Sequence, residues 1–347
     1  MINNLIRPNI VKMKPYVCAR DLYQEGVFMD ANENAFCSPV KNSRLLNLNR
    51  YPDPSSTELK KALGRYVGVD FENIFVSSGS DEIIDLLIRL FVNEDEEVLI
   101  FEPTYGMYRV LAEVNNVRIK TCSLGNDFQI NFTGFRDALS AKTKIVFLCS
   151  PNNPTGNLLN YEDILKIVEK FNGVVVVDEA YVEFSSRESL AKVAVNSENL
   201  IILRTLSKAW GLAGIRVGYC LANKLIIDYL NKIKLPYNVN LLSSYMAIKA
   251  LKNSDLMEQM VLEIIAERNW LRMELKKLGF KVFASEANFL LVKIVGAGRI
   301  VKKLAEDFGI IVRDFSNKPG VPEDCFRITV GTSKQNRALI QALTLIL

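Results

Sequence analysis

Six runs in the first two-thirds of the chain are almost continuously apolar, and they constrain the fold more than any other feature. They are "IFVSS" 74–78, "EVLIF" 97–101, "IVFLCS" 145–150, "VVVVD" 174–178, "LIILR" 200–204 and "VGYCL" 217–221. A strand with one solvated face alternates apolar and polar residues. An uninterrupted run instead fits a strand buried on both faces of a largely parallel sheet. Helical periodicity falls between them, at 57–67, 81–92, 105–115 and 160–171. The alternation predicts a large three-layer α/β domain with a mainly parallel sheet over residues 45–245. Beyond residue 240 the pattern changes to a long helix (254–278), strands near 281–284, 288–293 and 325–330, and helices at 299–308 and the C-terminus. That predicts a smaller α+β domain over 246–347, joined by an N-terminal arm over 1–44.

Composition removes whole classes of function. The chain has 347 residues, 49% of them hydrophobic, and a net charge of only +4, with no basic run that could track a nucleic acid. No apolar stretch is long enough to span a bilayer, and "MINNLIRPNIVKMKPY" lacks the apolar region of a signal peptide. The cysteines at 18, 37, 122, 149, 220 and 325 are scattered and read as reduced thiols, not as a disulfide frame or a metal site. Together these lead us to expect a cytoplasmic protein. There is no histidine. A Ser-His-Asp triad, a Cys-His pair and a His-ligated metal are impossible, so proton transfer near neutral pH falls to another group, most simply a lysine of lowered pKa.

In α/β sheets ligands sit at the carboxyl ends of strands, and those ends are unusually rich here. "IFVSS" is followed by "GSDEIIDLL": Gly79 permits close backbone approach, and the amides of a helix start at Ser80 and Asp81 suit a phosphate. An ordinary turn capped by Ser80 or Asp81 is the alternative. "IVFLCS" leads into "PNNPTG", a rigid turn that projects Asn152 or Asn153. Asp178 ends "VVVVD", with Tyr181 three residues on; a carboxylate there is costly unless met by a cation, or else it caps a helix. "LIILR" runs into "RTLSKAWGLAGIRVGY", which sets Lys208 among small and apolar residues with Thr205, Ser207 and Arg216. There is no G-x-G-x-x-G after a strand and no Walker A sequence.

One cofactor uses all of these groups. Pyridoxal phosphate needs a lysine to bond its aldehyde, an acid to keep its ring nitrogen protonated, and donors for its phenolate and phosphate. Lys208, Asp178, Asn153 with Tyr181, and the Gly79–Asp81 turn with Ser207 and Arg216 supply that set. "SSGSDEIID", "PTYGMY", "SPNNPTG", "VVVDEAY", "RTLSKAWGLAGIRVGY" and "RITVGT" moreover stand in the order seen in the fold type I pyridoxal-phosphate aminotransferases, which the chain resembles. "RPNIVKMKPYVCARD", "DANEN", "NRYPDP", "SEANFLLVK" and "GIIVRD" are similar to the pattern of the histidinol-phosphate aminotransferase family within them. The chain departs from that pattern at "DANENAF", where many relatives have proline after the second asparagine; this bears on the substrate-side loop.

The resemblance implies roles residue by residue. Lys208 resembles the lysine that carries the cofactor and moves the proton, Asp178 the ring-nitrogen partner, and Asn153 and Tyr181 the phenolate donors. Tyr105 looks like the aromatic that stacks on the ring. Tyr51 resembles the tyrosine that reaches the cofactor phosphate of a neighbouring subunit, which implies a homodimer with shared sites. Arg327 resembles the substrate-anion arginine. A phosphate ester asks for a second cation, offered by Arg313, with Tyr16, Asn32, Glu33 and Asn153 completing the substrate side. The implied reaction is ping-pong transamination of histidinol phosphate with 2-oxoglutarate. An aromatic aminotransferase or a threonine-phosphate decarboxylase on the same scaffold is the nearest rival. A ligand-sensing regulator would need a DNA-binding segment before "RPNIVKMKPY", where none is expected, and a catalytically dead module would lack Lys208 or Asp178.

Overall fold

The apolar runs become strands where the sequence places them. The computed structural model describes residues 2–12, 47–318 and 320–347. Its strands are β1 (Ile74–Ser77), β2 (Glu97–Glu102), β3 (Arg118–Ser123), β4 (Thr143–Cys149), β5 (Val174–Asp178), β6 (Leu200–Thr205), β7 (Gly218–Leu221), β8 (Lys281–Val282), β9 (Phe289–Lys293), β10 (Arg313–Asp314) and β11 (Cys325–Thr329). The chain divides into two compact units, Met1–Glu94 with Leu190–Ser254 and Asp95–Ser189 with Asp255–Leu347.

In the first unit β7 lies between β1 and β6 and pairs antiparallel with both. Every residue of these three strands is buried, which explains their lack of polar alternation. Helices Thr57–Val67, Ser80–Phe91, Lys224–Ile233 and Leu241–Leu251 belong to this unit. Gly218 fixes one close approach: a Cβ there would collide with the backbone of Gly79 and Ser80. The end of β7 is thereby pressed against the start of the helix Ser80–Phe91.

In the second unit β5, β4, β2 and β3 pair in parallel, in that order. Val174 to Val177 are wholly buried, as a strand covered on both faces requires. A separate antiparallel sheet runs β10-β11-β9-β8. Its inner face packs with Leu271 and Leu275 of the long helix Ser254–Lys277, Leu304 of Ala297–Phe308 and Leu343 of the C-terminal helix Ser333–Ile346. Thr332 and Gln335 close a reciprocal capping box at the start of that last helix. Cys122, Cys149, Cys220 and Cys325 are buried free thiols. Among the described residues no helix is long and apolar enough to cross a membrane.

Replacing Gly218 with alanine should destabilise the fold by about 1–3 kcal/mol, the usual cost of overpacking where backbone cannot retreat. Urea unfolding would check this; an unchanged midpoint would mean the β7 end has room to shift.

Candidate active site

The first unit builds a turn fitted to an anion. Ser77 Oγ donates to the carbonyl of Gly79 at 2.8 Å and folds the chain sharply at the end of β1. Gly79 then takes φ +85°, a conformation that L side chains rarely adopt, as the residue before the helix Ser80–Phe91. No side chain caps this helix start, so the alternative of a cap from Ser80 or Asp81 is not what the fold uses. The Arg216 guanidinium lies across Gly79, where a Cβ would strike it, and pairs with Asp81 at 3.8 Å. Arg216 itself sits at φ 53° after the short turn Ala213–Ile215. Helix-start amides beside a guanidinium suit an anion.

The same unit carries the lysine stretch. Thr205, buried at the end of β6, donates to Ser207 Oγ at 2.9 Å and accepts from the Ser207 amide at 3.1 Å. This small loop ties Ser207 down just before Lys208. Gly211 N–H then donates to the Lys208 carbonyl at 3.1 Å, turning the chain back toward β7. The Lys208 side chain is exposed. Tyr51 is half exposed and stacks on Tyr237, with ring centroids 4.6 Å apart.

The second unit gathers an acid, an amide, a phenol and two arginines. Asp178 is 3% exposed at the end of β5. One carboxylate oxygen accepts from the Ala180 amide at 3.0 Å, and the other accepts from the Tyr108 hydroxyl at 2.8 Å. No α-helix follows; the chain enters the 3-10 turn Val182–Phe184, so Asp178 is no α-helix cap. Of the two asparagines, Asn152 is bound into its own loop, donating to the Pro103 carbonyl and Thr155 Oγ1 at 2.8 and 2.7 Å. Asn153 is the one presented: its amide nitrogen lies 3.5 Å from Tyr181 Oη, and its oxygen accepts a short hydrogen bond from Arg327 Nη1. Burial pushes the Tyr181 phenol well above its ordinary pKa, with nearby Arg327 opposing the shift, so it remains a donor. Tyr105 is half buried and meets Tyr108 edge-on at 5.6 Å.

Arg327 lies on β11, between β10 and β9, so it is not a strand-edge surface residue. Its guanidinium is flanked by the rings of Phe289 at 5.1 Å and Phe315 at 5.7 Å. Its Nε is buried without a hydrogen-bond partner among the described residues. Burial lowers its pKa, Tyr181 opposes that, and Arg313 adds to it. Arg313 is the direct register partner of Arg327 across the β10–β11 pair. Asp314, beside Arg313 in sequence, uses its Oδ1 to accept from the amide and hydroxyl of Ser316 at 2.8 and 2.6 Å. Two cations thus face each other with no ion pair to a carboxylate among the described residues.

Tyr16, Asn32 and Glu33 lie outside the described residues. Sequence reasoning passed over Tyr108, although "PTYGMY" sets it three residues after Tyr105, and over the Phe289 and Phe315 rings. The family model for aminotransferase class I and II matches residues 37–343. The chain belongs to that family. Other aminotransferases match nearly end to end. The histidinol-phosphate aminotransferase of Cytophaga hutchinsonii is 42% identical, covering 99% of this chain and 98% of its own length. That of Caldanaerobacter subterraneus subsp. tengcongensis is 44% identical over the whole of both chains. Among solved structures, the histidinol-phosphate aminotransferase of Sinorhizobium meliloti in complex with pyridoxal-5'-phosphate has a TM-score of 0.80 at 26% identity, covering 91% of this chain and 90% of its own. That of Clostridium acetobutylicum has a TM-score of 0.79 at 27% identity, covering 87% and 92%. The α/β architecture expected from the strand pattern, and the type I aminotransferase fold that the resemblance implied, are therefore those of this chain.

An aminotransferase with this turn should lose anion affinity when the guanidinium goes. Arg216→Ala is expected to weaken inorganic phosphate binding to the apoprotein by roughly tenfold or more, read from the phosphate dependence of thermal unfolding. An undiminished phosphate response would remove Arg216 from the anion site.

Proposed function

We propose that this aminotransferase uses pyridoxal 5'-phosphate to move the amino group of L-histidinol phosphate to 2-oxoglutarate, giving imidazole acetol phosphate and glutamate in histidine biosynthesis. One observation carries the substrate reading: Arg313 and Arg327 face each other in register without a carboxylate partner among the described residues. A single carboxylate needs one bidentate arginine, whereas a phosphate ester near neutral pH carries close to two charges and suits a pair. Full-length similarity to histidinol-phosphate aminotransferases supports the same substrate.

The residues fit the cofactor on their own chemistry. The helix start at Gly79–Asp81 with Arg216 suits a phosphate, and Thr205 and Ser207 carry hydroxyls just before Lys208 in sequence. Asp178 is a buried carboxylate suited to a ring N–H, Asn153 and Tyr181 are neutral donors for a phenolate oxygen, and Tyr105 offers a face for stacking. When bound, pyridoxal phosphate supplies the electron sink that stabilises negative charge at the substrate carbon bearing the amine. Asp178 holds the ring nitrogen protonated. Lys208 would hold the cofactor, and its free Nζ would be the base that takes the proton from that carbon. A free amine in this role answers the absence of histidine. Arg327 and Arg313 hold the phosphate ester in one half-reaction and the 2-oxoglutarate carboxylate in the other; Tyr16, Asn32, Glu33 and Asn153 are the remaining residues this reading assigns to the substrate.

Residues 45–245 form the cofactor-binding domain in this reading, with 1–44 and 246–347 as the arm and small domain. The enzyme works in the cytoplasm as a homodimer in which Tyr51 reaches the partner's cofactor phosphate. The half-exposed Tyr51 ring is consistent with service to another subunit.

Single-turnover mixing of holoenzyme with histidinol phosphate should convert the cofactor to its amine form, faster than phenylalanine does. Arg313→Ala should raise KM for histidinol phosphate by roughly 10- to 100-fold while a slow reaction with phenylalanine changes little. Faster turnover of phenylalanine by the wild type would move the assignment to an aromatic aminotransferase. Equal losses on both substrates would leave Arg313 a supporting role in the fold.

A further inference from the structure

Tyr108 is the second residue of the helix Met107–Val114, and its side chain is 0% exposed. Its ring stacks on Phe147 of β4 with centroids 4.9 Å apart and planes 9° from parallel, and Tyr105 abuts it edge-on. The phenol is therefore held on two sides. Its hydroxyl donates to Asp178 Oδ2 at 2.8 Å, while Asp178 Oδ1 accepts from the Ala180 amide. Cys149, the register neighbour of Asp178 on β4, is a buried thiol whose pKa burial pushes upward. Burial and the adjacent carboxylate likewise push the Tyr108 phenol well above its ordinary range. Both neighbours therefore stay neutral, and the phenol meets Asp178 as a proton donor.

We propose that Tyr108 is a positioning residue: by donating to Asp178 Oδ2 it keeps that carboxylate ionised and aimed as the acceptor of the cofactor's ring N–H. The inference rests on the role given to Asp178 above. A buried carboxylate deprived of one donor gains affinity for a proton. The proton it shares with the ring nitrogen then moves toward Asp178, and the ion pair becomes two neutral groups. Tyr108 touches neither substrate nor reacting carbon; it acts through Asp178.

Cofactor binding gives a readout apart from catalysis. Equilibrium dialysis of the apoprotein would compare pyridoxal phosphate with its 1-deaza analogue, in which carbon replaces the ring nitrogen. Tyr108→Phe should weaken pyridoxal phosphate binding roughly 10- to 100-fold and leave the analogue's affinity unchanged. In an Asp178→Asn background the same substitution should have no further effect on either ligand. Equal weakening of both ligands would make Tyr108 a packing residue only, and no weakening of either would also overturn the proposal. If Asp178→Asn alone failed to discriminate the two ligands, the underlying role of Asp178 would fall, and this inference with it. Should Tyr108→Phe not fold, 3-fluorotyrosine at position 108 keeps the shape with a stronger donor. The preference for pyridoxal phosphate over its analogue should then rise severalfold, and an unchanged preference would overturn the proposal.

Discussion

A carboxylate buried at the end of a parallel strand persists only if donors replace the water it has lost, and Asp178 obtains them from two directions. The Ala180 amide comes from the turn just after β5, and the Tyr108 hydroxyl comes from the helix that follows β2. Parallel register sets Cys149 beside Asp178, and Phe147 on the same strand supports the Tyr108 ring. The aim of one carboxylate therefore depends on the register of β4 against β5 and on the helix start at Met107. A slip of either strand would cost Asp178 its Tyr108 donor. This makes the second unit's sheet intolerant of change at its carboxyl end.

The anion-accepting groups follow the opposite logic. Where Asp178 is satisfied within the fold, the helix start at Ser80 has no side-chain cap, and Arg327 keeps a buried Nε without a partner among the described residues. Phe289 and Phe315 flank the Arg327 guanidinium, and their ring faces compensate part of its lost hydration. Placing Arg313 opposite Arg327 costs repulsion between two cations, a cost that a bound anion would offset.

Much of this was legible in the sequence because burial and strand order leave direct marks. Each continuously apolar run became a strand to within a residue or two, since strands covered on both faces cannot carry polar alternation. β3 escaped notice because "RIKTCS" is a largely exposed edge strand with one buried residue, Cys122. The helices Phe132–Ala138, Lys224–Ile233 and Leu241–Leu251 were also missed; the last carries apolar residues all round, with Leu242, Tyr245 and Met246 exposed beside buried Ala247 and Leu251. Within the site, residue type and strand-end position named Asp178, Tyr181 and one asparagine of the 151–156 turn, while the resemblance singled out Asn153 and Arg327. Spacing could not separate Asn152 from Asn153, because that choice turns on Thr104, Thr155 and Pro103 occupying Asn152. Nor could it find Tyr108, whose role arises from a hydrogen bond spanning 70 residues of sequence.

In the mechanism proposed above one lysine, Lys208, carries the cofactor and would become the base when substrate binds. Borohydride reduction of the cofactor-loaded enzyme, followed by proteolysis and mass spectrometry, reads this directly. The account predicts a stable pyridoxyl group on Lys208, with stoichiometry near one per chain. A pyridoxyl group on another lysine, such as the buried Lys60, or the absence of any covalent adduct, would contradict it.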